Sequence, residues 1–198
     1  MKKTLLVALL LLIHFSVLAQ TEKGRWMAGI GIGSFGYQSN QAGHSFSSNL
    51  SPLAGRFIAP NFLVGVGLPL SFSSSKYVLS TNTNVSVGLS PFTRCYFGSS
   101  SLKPLVSLSI AYEYLRMKSE STPGHLSITT GNTLQVSPVL GLAYFINRSI
   151  SLDALLGYNW ASSTLTGSDH TGVPYNESST YTNKNATLTV GFNVFFGQ

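Results

Sequence analysis

Charged side chains are scarce in this 198-residue chain: they make up 9% of its residues, against roughly 25% in ordinary soluble domains. Cysteine occurs once, as Cys95, which excludes an internal disulfide framework. Beyond residue 20, no apolar run approaches the ~20 residues that a membrane-spanning helix needs. The sequence therefore has neither the charge of a soluble domain nor the apolar runs of a helical membrane protein.

The first twenty residues have the pattern of an export signal. Lys2 and Lys3 form a basic start, residues 4–18 are mostly apolar, and Val17-Leu18-Ala19 suits cleavage by a signal peptidase. We expect residues 1–19 to be a cleaved signal peptide and residues 20–198 to form one domain. An uncleaved membrane anchor is the alternative, although the apolar segment is short for one.

Most of the remaining chain alternates between apolar and polar residues, which is the period-2 pattern of β-strands. The pattern predicts eight strands, and the connections between them alternate between short and long. The longer ones, such as residues 162–185, are rich in Ser, Thr, Asn and Gly, which is typical of outer loops in bacterial barrels. The predicted strands are residues 24–37, 45–58, 62–73, 84–97, 105–117, 132–145, 150–161 and 186–196.

Low charge and the placement of aromatic residues favour a sheet whose apolar face contacts lipid. The fold class predicted is all-β, an eight-stranded antiparallel transmembrane up-and-down β-barrel, because a closed barrel pairs all of its backbone groups internally. A soluble barrel or sandwich with a buried apolar face is the alternative, since alternation alone does not separate the two. Ten residues of a strand tilted by roughly 40° cover about 25 Å of height, the separation of two aromatic belts. The lower belt would hold Trp26, Phe62, Phe97, Tyr144 and Phe196, and the upper belt Phe72, Tyr112, Tyr114, Tyr158 and Trp160.

Three Ser-Pro pairs recur in register within predicted strands, which indicates a degenerate hairpin repeat. Proline cannot donate to the hydrogen-bond ladder, so we expect a β-bulge at each proline. An aromatic residue follows each pair five or six positions later, near a short turn. The prolines are Pro52, Pro91 and Pro138, and the aromatics are Phe57, Tyr96 and Tyr144.

The stretches SPLAGRFIAPNFLVGVG, SPFTRCYF and SPVLGLAYFINRSISLDALLGYNW, with the ending LTVGFNVFF, resemble the outer membrane β-barrel domain family common in Bacteroidetes. The architecture of that family is similar to the small OmpA- and OmpX-type barrels. The resemblance implies the outer membrane of a Gram-negative bacterium and insertion by the barrel-assembly machinery, with the final strand as the recognition signal.

Four charged residues lie deepest within predicted strands. Parity places Arg94, Glu113 and Asp153 on the lumen face, and Arg56 is expected inward as well, because an arginine facing the bilayer midplane costs about 2–4 kcal/mol. We predict a lumen charge network that packs a narrow barrel. A gated ion path and catalytic carboxylates are the alternatives.

Two loop segments contain the residue types of acyl-transfer enzymes. His125 precedes Ser127, and Asp169 precedes His170, but nucleophilic catalysis needs a base beside the nucleophile that a third group orients. Serine is so common in these loops that chance explains the match, and no metal-ligand spacing is present. We therefore predict no catalytic, cofactor-binding or metal-binding residues.

The function expected is a structural or surface-interaction role that the outer loops carry out. A narrow channel for ions or small solutes and a lipid-A-modifying enzyme are the alternatives. We expect a non-enzymatic monomer whose partners are outer membrane lipid and, during insertion, the barrel-assembly machinery. The basic residues are scattered along the chain, so we expect no nucleic-acid partner.

Overall fold

The computed structural model describes residues 21–121, 125–168 and 174–197. Among these residues, no helix is long and apolar enough to cross a membrane. Nine antiparallel strands account for most of the described chain. They are β1 (Trp26–Asn40), β2 (Gly43–Ala59), β3 (Phe62–Gly67), β4 (Leu70–Tyr77), β5 (Ser80–Tyr96), β6 (Leu102–Ser121), β7 (His125–Asn147), β8 (Ile150–Ser168) and β9 (Pro174–Phe196).

The strands close into a ring, because β1 pairs with both β2 and β9. Strands β3 and β4 each pair with β2 on one side and β5 on the other. They are two halves of one ring position, separated only at Leu68 and Pro69. The ring therefore has eight positions, which confirms the fold class predicted, with one strand divided in two. Every described neighbour pair is antiparallel.

The outer face of the ring is apolar, as the alternation predicts. Nine of the ten belt aromatics expose between 42% and 57% of their surface, and Phe62 is half-buried. A register shift in β1 between Ile32 and Ser34 also turns Phe35 and Tyr37 to the outside. Such surface would be unfavourable in water and suits contact with hydrocarbon.

The long connections expected between the strands are largely strand themselves. Strand β6 continues to Ser121, and β7 already begins at His125. Strands β8 and β9 likewise extend far into the range 162–185. Both faces of these extensions are mainly polar, with only scattered apolar side chains such as Ile128 and Tyr181, so no regular alternation marks them. Hydroxyl and amide side chains stabilise them across the ladder, for example Ser119 with Asn82 at 2.6 Å. The short turns at residues 60–61 and 148–149 match the expected ones.

The β-bulges expected at the prolines do not occur. Pairing between β5 and β6 skips Ser90 and Pro91 and resumes with the register unchanged, and the β7–β8 ladder does the same at Pro138. Each proline thus leaves a local gap in one ladder, because it has no N–H to donate. The register shifts lie elsewhere, near strand ends and in β1.

Candidate functional site: the barrel lumen

Four aromatic side chains close the barrel at its short-turn end. They come from alternate ring positions and form a closed circle, in which neighbouring ring centroids are 5.1 to 6.2 Å apart. All four are at least 98% buried. Met27, Leu63 and Leu105, equally buried, complete the same cluster. We call the aromatic circle, which consists of Phe57, Tyr96, Phe145 and Phe195, the aromatic plug.

One backbone contact recurs at every member of the plug. The backbone N–H of each aromatic donates over 2.7 to 2.9 Å to the carbonyl of the residue just before the partner strand of its hairpin. These contacts reveal the four-hairpin repeat that the Ser-Pro pairs suggested, with Phe145 rather than Tyr144 as its third aromatic. The acceptor residues are Arg25, Asn61, Ser101 and Ser149.

Residues 21–25 cross the mouth of the barrel beneath the plug. Thr21 is buried, hydrogen-bonds the Asn61 side chain and accepts a bond of 3.0 Å from Lys103 Nζ. The Arg25 guanidinium donates to the carbonyls of Arg148 and Phe195. Desolvation lowers the pKa of Arg25 from its ordinary value, with Glu22 acting in the opposite direction. This segment adds a second layer to the closure.

A buried ion pair lies directly above the plug. Arg94 Nη1 donates to Asp153 Oδ2 over 2.8 Å, and the two side chains are 5% and 0% exposed. Ser151 donates to the other carboxylate oxygen, and the Tyr96 hydroxyl of the plug accepts a bond of 3.3 Å from Arg94. These bonds offset part of the desolvation of two charges that are held away from water, and Arg94 Nε is buried without a hydrogen-bond partner among the described residues.

Above the ion pair, the lumen widens into a cavity of about 400 Å³. Its floor includes Arg94 and Phe92, and its walls carry mainly hydroxyl, amide and glycine positions. Glu113 lies on the wall and accepts a bond of 3.1 Å from Ser86. At the upper end, Asn49 and Asn185 are exposed to solvent. The lumen is thus polar and open toward the long hairpins, and closed at the short turns.

The structure brings together only two of the four predicted lumen charges. Arg94 and Asp153 form the ion pair, but Glu113 lies six positions farther along β6 than the residue paired with Arg94, about 20 Å away along the strand. Arg56 is on the outer face, so its expected inward placement is corrected. Its guanidinium lies 5.4 Å from the centre of the Trp26 ring, at the short-turn rim. At the rim the charge is near water and not at the bilayer midplane. The energetic cost of an arginine at the midplane therefore does not apply to Arg56.

The structure describes only part of the remaining candidate residues. His125 and Ser127 lie at the start of β7, whereas Asp169 and His170 lie outside the described residues. In the described parts of the chain, no three His, Cys, Asp or Glu side chains are grouped so that they could hold a metal ion.

The plug was not predicted from the sequence, because the apolar residues of the strands were assigned to the lipid-facing side of the sheet. A signal for it exists. Consecutive large apolar residues interrupt the alternation at the C-terminal ends of β2, β5, β7 and β9, where one side chain must face outward and the other inward. The pairs are Phe57-Ile58, Tyr96-Phe97, Tyr144-Phe145 and Phe195-Phe196.

Over residues 5–198, the sequence matches the family described as "Outer membrane protein beta-barrel domain". The chain belongs to this family. As an outer membrane β-barrel protein, it has its place in the outer membrane, with its apolar outer face toward lipid. A search among curated proteins found no match.

Solved structures with the same fold include three other outer membrane barrels. A major outer membrane protein from Thermus thermophilus is 16% identical, with a TM-score of 0.58 over 88% of this chain and 100% of that one. OprG from Pseudomonas aeruginosa is 11% identical, with a TM-score of 0.57 over 91% and 100%. The translocator domain of the autotransporter NalP from Neisseria meningitidis is 10% identical, with a TM-score of 0.50 over 100% and 98%. At these identities the likeness concerns the fold.

Proposed function

We propose that this outer membrane barrel is closed to solute flow and serves a structural and surface-interaction role through its long hairpins and the cavity between them. The observation that carries the proposal is the aromatic plug, with residues 21–25 layered beneath it. Displacing a circle of four aromatic rings requires breaking packing contacts worth several kcal/mol. The resting barrel is therefore non-conducting.

The narrow channel, the second function considered, would need an open path past the Arg94–Asp153 pair and the plug. Charged lumen residues do set ion selectivity in open pores. Here the two charges neutralise each other and are buried, so they act as packing elements. The polar cavity above them is a dead-end pocket that faces outward.

Residues 1–19 act as a cleaved signal peptide, and the barrel-assembly machinery inserts residues 20–198 as a monomer into the outer membrane of a Gram-negative bacterium of the Bacteroidetes type. The short turns then face the periplasm and the long hairpins face outward, as is usual for bacterial barrels. The protein has no enzymatic role, and lipid is its constant partner.

Conductance in planar lipid bilayers tests the closed state. The purified mature protein is expected to give no discrete openings, and a variant carrying Phe57→Ala and Phe195→Ala, which removes half of the plug, is expected to give measurable current. Folding of both proteins is verified by their heat-modifiable mobility in gels. Stepwise openings of the wild-type protein would overturn the proposal in favour of the channel.

A further inference from the structure

Cations lie on the outer face of the barrel just beyond the upper aromatic belt. Arg116 and Lys118 project from β6, Lys76 from β4 and Lys184 from β9, and all four are exposed. Of the carboxylates whose side chains the structure describes, only Glu120 shares this face at this end of the barrel. The local charge is therefore positive.

Three of these cations are neighbours and form what we call the outer cationic patch: Lys76, Arg116 and Lys118. In the ladder, Lys118 pairs with Thr83, which pairs with Ser74, two positions before Lys76. Two inter-strand spacings and two residues of rise place the backbones of Lys76 and Lys118 within about 12 Å of each other. The hydroxyl-bearing Ser74 and Thr83 lie between the cations.

An apolar surface continues the patch toward the middle of the barrel. Arg116 pairs with Val85, which pairs with Phe72, and Tyr114 precedes Arg116 by two positions on the same face. Phe72, Val85 and Tyr114 are 42% to 46% exposed. Along β4 to β6, the outer face thus changes from apolar to cationic within a few residues, which is the polarity profile of a lipid from its chains to its headgroup.

We propose that the outer cationic patch binds the phosphate of an outer-leaflet lipid, whose acyl chains lie on the adjoining apolar surface. This inference rests on the orientation given under the proposed function. Guanidinium and ammonium groups form short, charge-assisted hydrogen bonds to phosphate oxygens, and the hydroxyls of Ser74 and Thr83 supply further donors. Each cation near a membrane surface strengthens the binding of anionic lipid about fivefold.

Glu120 gives the patch an internal competitor. Its carboxylate lies 2.5 Å from Lys118 Nζ, and both side chains are about half-exposed. A bound phosphate would take over Lys118 and repel Glu120. Replacing this carboxylate by an amide is therefore expected to strengthen lipid binding.

Native mass spectrometry of the full mature protein tests the patch, with a diphosphorylated glycolipid as the probe and the same lipid without phosphates as its comparison. The wild-type protein is expected to retain the phosphorylated lipid preferentially. Arg116→Gln with Lys118→Gln should lower retention about 25-fold, because two cations are removed, and Glu120→Gln should raise it. Lys184→Gln is the matched control, since Lys184 lies at a similar height beside Trp160 on another part of the ring, and retention should stay unchanged.

Three results would overturn the patch as a lipid-phosphate site: equal retention of the two lipids, a loss of about fivefold for Lys184→Gln, which is the loss expected per cation within the patch, or displacement of the lipid by millimolar inorganic phosphate. The first result would show that the contact with lipid is purely apolar. The second would show that cations around the whole belt contribute equally. The third would show that free phosphate is the ligand. Conductance plays no part in this measurement. A wild-type barrel that conducts and also selects the phosphorylated lipid would overturn the closed state alone.

Discussion

Arg94 in β5 and Asp153 in β8 are joined by a hydrogen bond of 2.8 Å although their strands are not neighbours in the ring. The bond therefore crosses the lumen instead of following the wall. It ties together two parts of the chain that are 59 residues apart in sequence. Because the pair is buried on top of the aromatic plug, it fixes the width of the barrel at the level where the lumen closes.

Breaking this pair on one side is expected to be costly. Asp153→Asn removes the carboxylate charge and leaves the Arg94 guanidinium buried without a counter-charge, which lowers the free energy of unfolding by about 3–5 kcal/mol. Urea unfolding in detergent micelles, followed by tryptophan fluorescence, measures the change. Arg94→Met with Asp153→Leu replaces both charges by apolar groups of similar size and should recover most of the loss.

Arg56 is the matched comparison for Arg94, because it has the same charge but lies on the outer face. Its contact with Trp26 is an exposed cation–π interaction, worth about 0.5–1 kcal/mol. Arg56→Gln is expected to lower the free energy of unfolding by no more than that in the same urea titration. A loss as large as that of Asp153→Asn would mean that Arg56 has a buried partner and that its outward placement is wrong.

The plug can be compared with the lipid face by means of two adjacent phenylalanines. Phe195 is 1% exposed and packs against Phe57 and Phe145, whereas Phe196 is 49% exposed on the outer surface. Phe195→Ala leaves a cavity and should lower the free energy of unfolding by about 3–5 kcal/mol.

Phe196→Ala removes a side chain that is half-exposed on the outer face, so a clearly smaller loss is expected in the same detergent unfolding assay. Equal losses for the two variants would show that burial in the plug contributes nothing beyond contact with the membrane.

Two glycines that face the lumen should respond in opposite ways to an added methyl group. A Cβ at Gly65 would collide with the Ala54 carbonyl oxygen and come within 2.7 Å of the Phe92 ring, whereas a Cβ at Gly33 would meet nothing closer than 3.7 Å. Gly65→Ala is expected to lower the free energy of unfolding by about 1–3 kcal/mol. Gly33→Ala should raise it by about 0.4–1 kcal/mol, because it restricts the unfolded chain. A stable Gly65→Ala barrel would contradict the close strand approach at that position.

The outer face could be predicted from the sequence because lipid imposes a strict rule on it. Every second residue of a spanning strand must be apolar, so Val190 and Phe192 mark their strand without any knowledge of its neighbours. The hairpin extensions lie in water on both faces and obey no such rule. Strand residues such as Thr164 and Thr180 therefore looked like loop.

The lumen was predictable only in part, because its contacts depend on how the ring closes. Parity places Arg94 and Asp153 inside, but their pairing follows from the stagger between strands that are not neighbours. The inward turn of Phe145 and Phe195 also conflicts with a purely polar lumen. The outward position of Arg56 depends on its height at the rim, which alternation does not encode.

Thiol labelling of intact cells tests most directly whether the lumen is open above the plug and closed at it. In a Cys95→Ser background, single cysteines replace Ser109, which lines the cavity, or Ser151, which is fully buried at the level of the plug. A membrane-impermeant methanethiosulfonate reagent added outside the cells is expected to modify the Ser109→Cys barrel and to leave the Ser151→Cys barrel unmodified. Modification of both at similar rates would contradict the closed lumen.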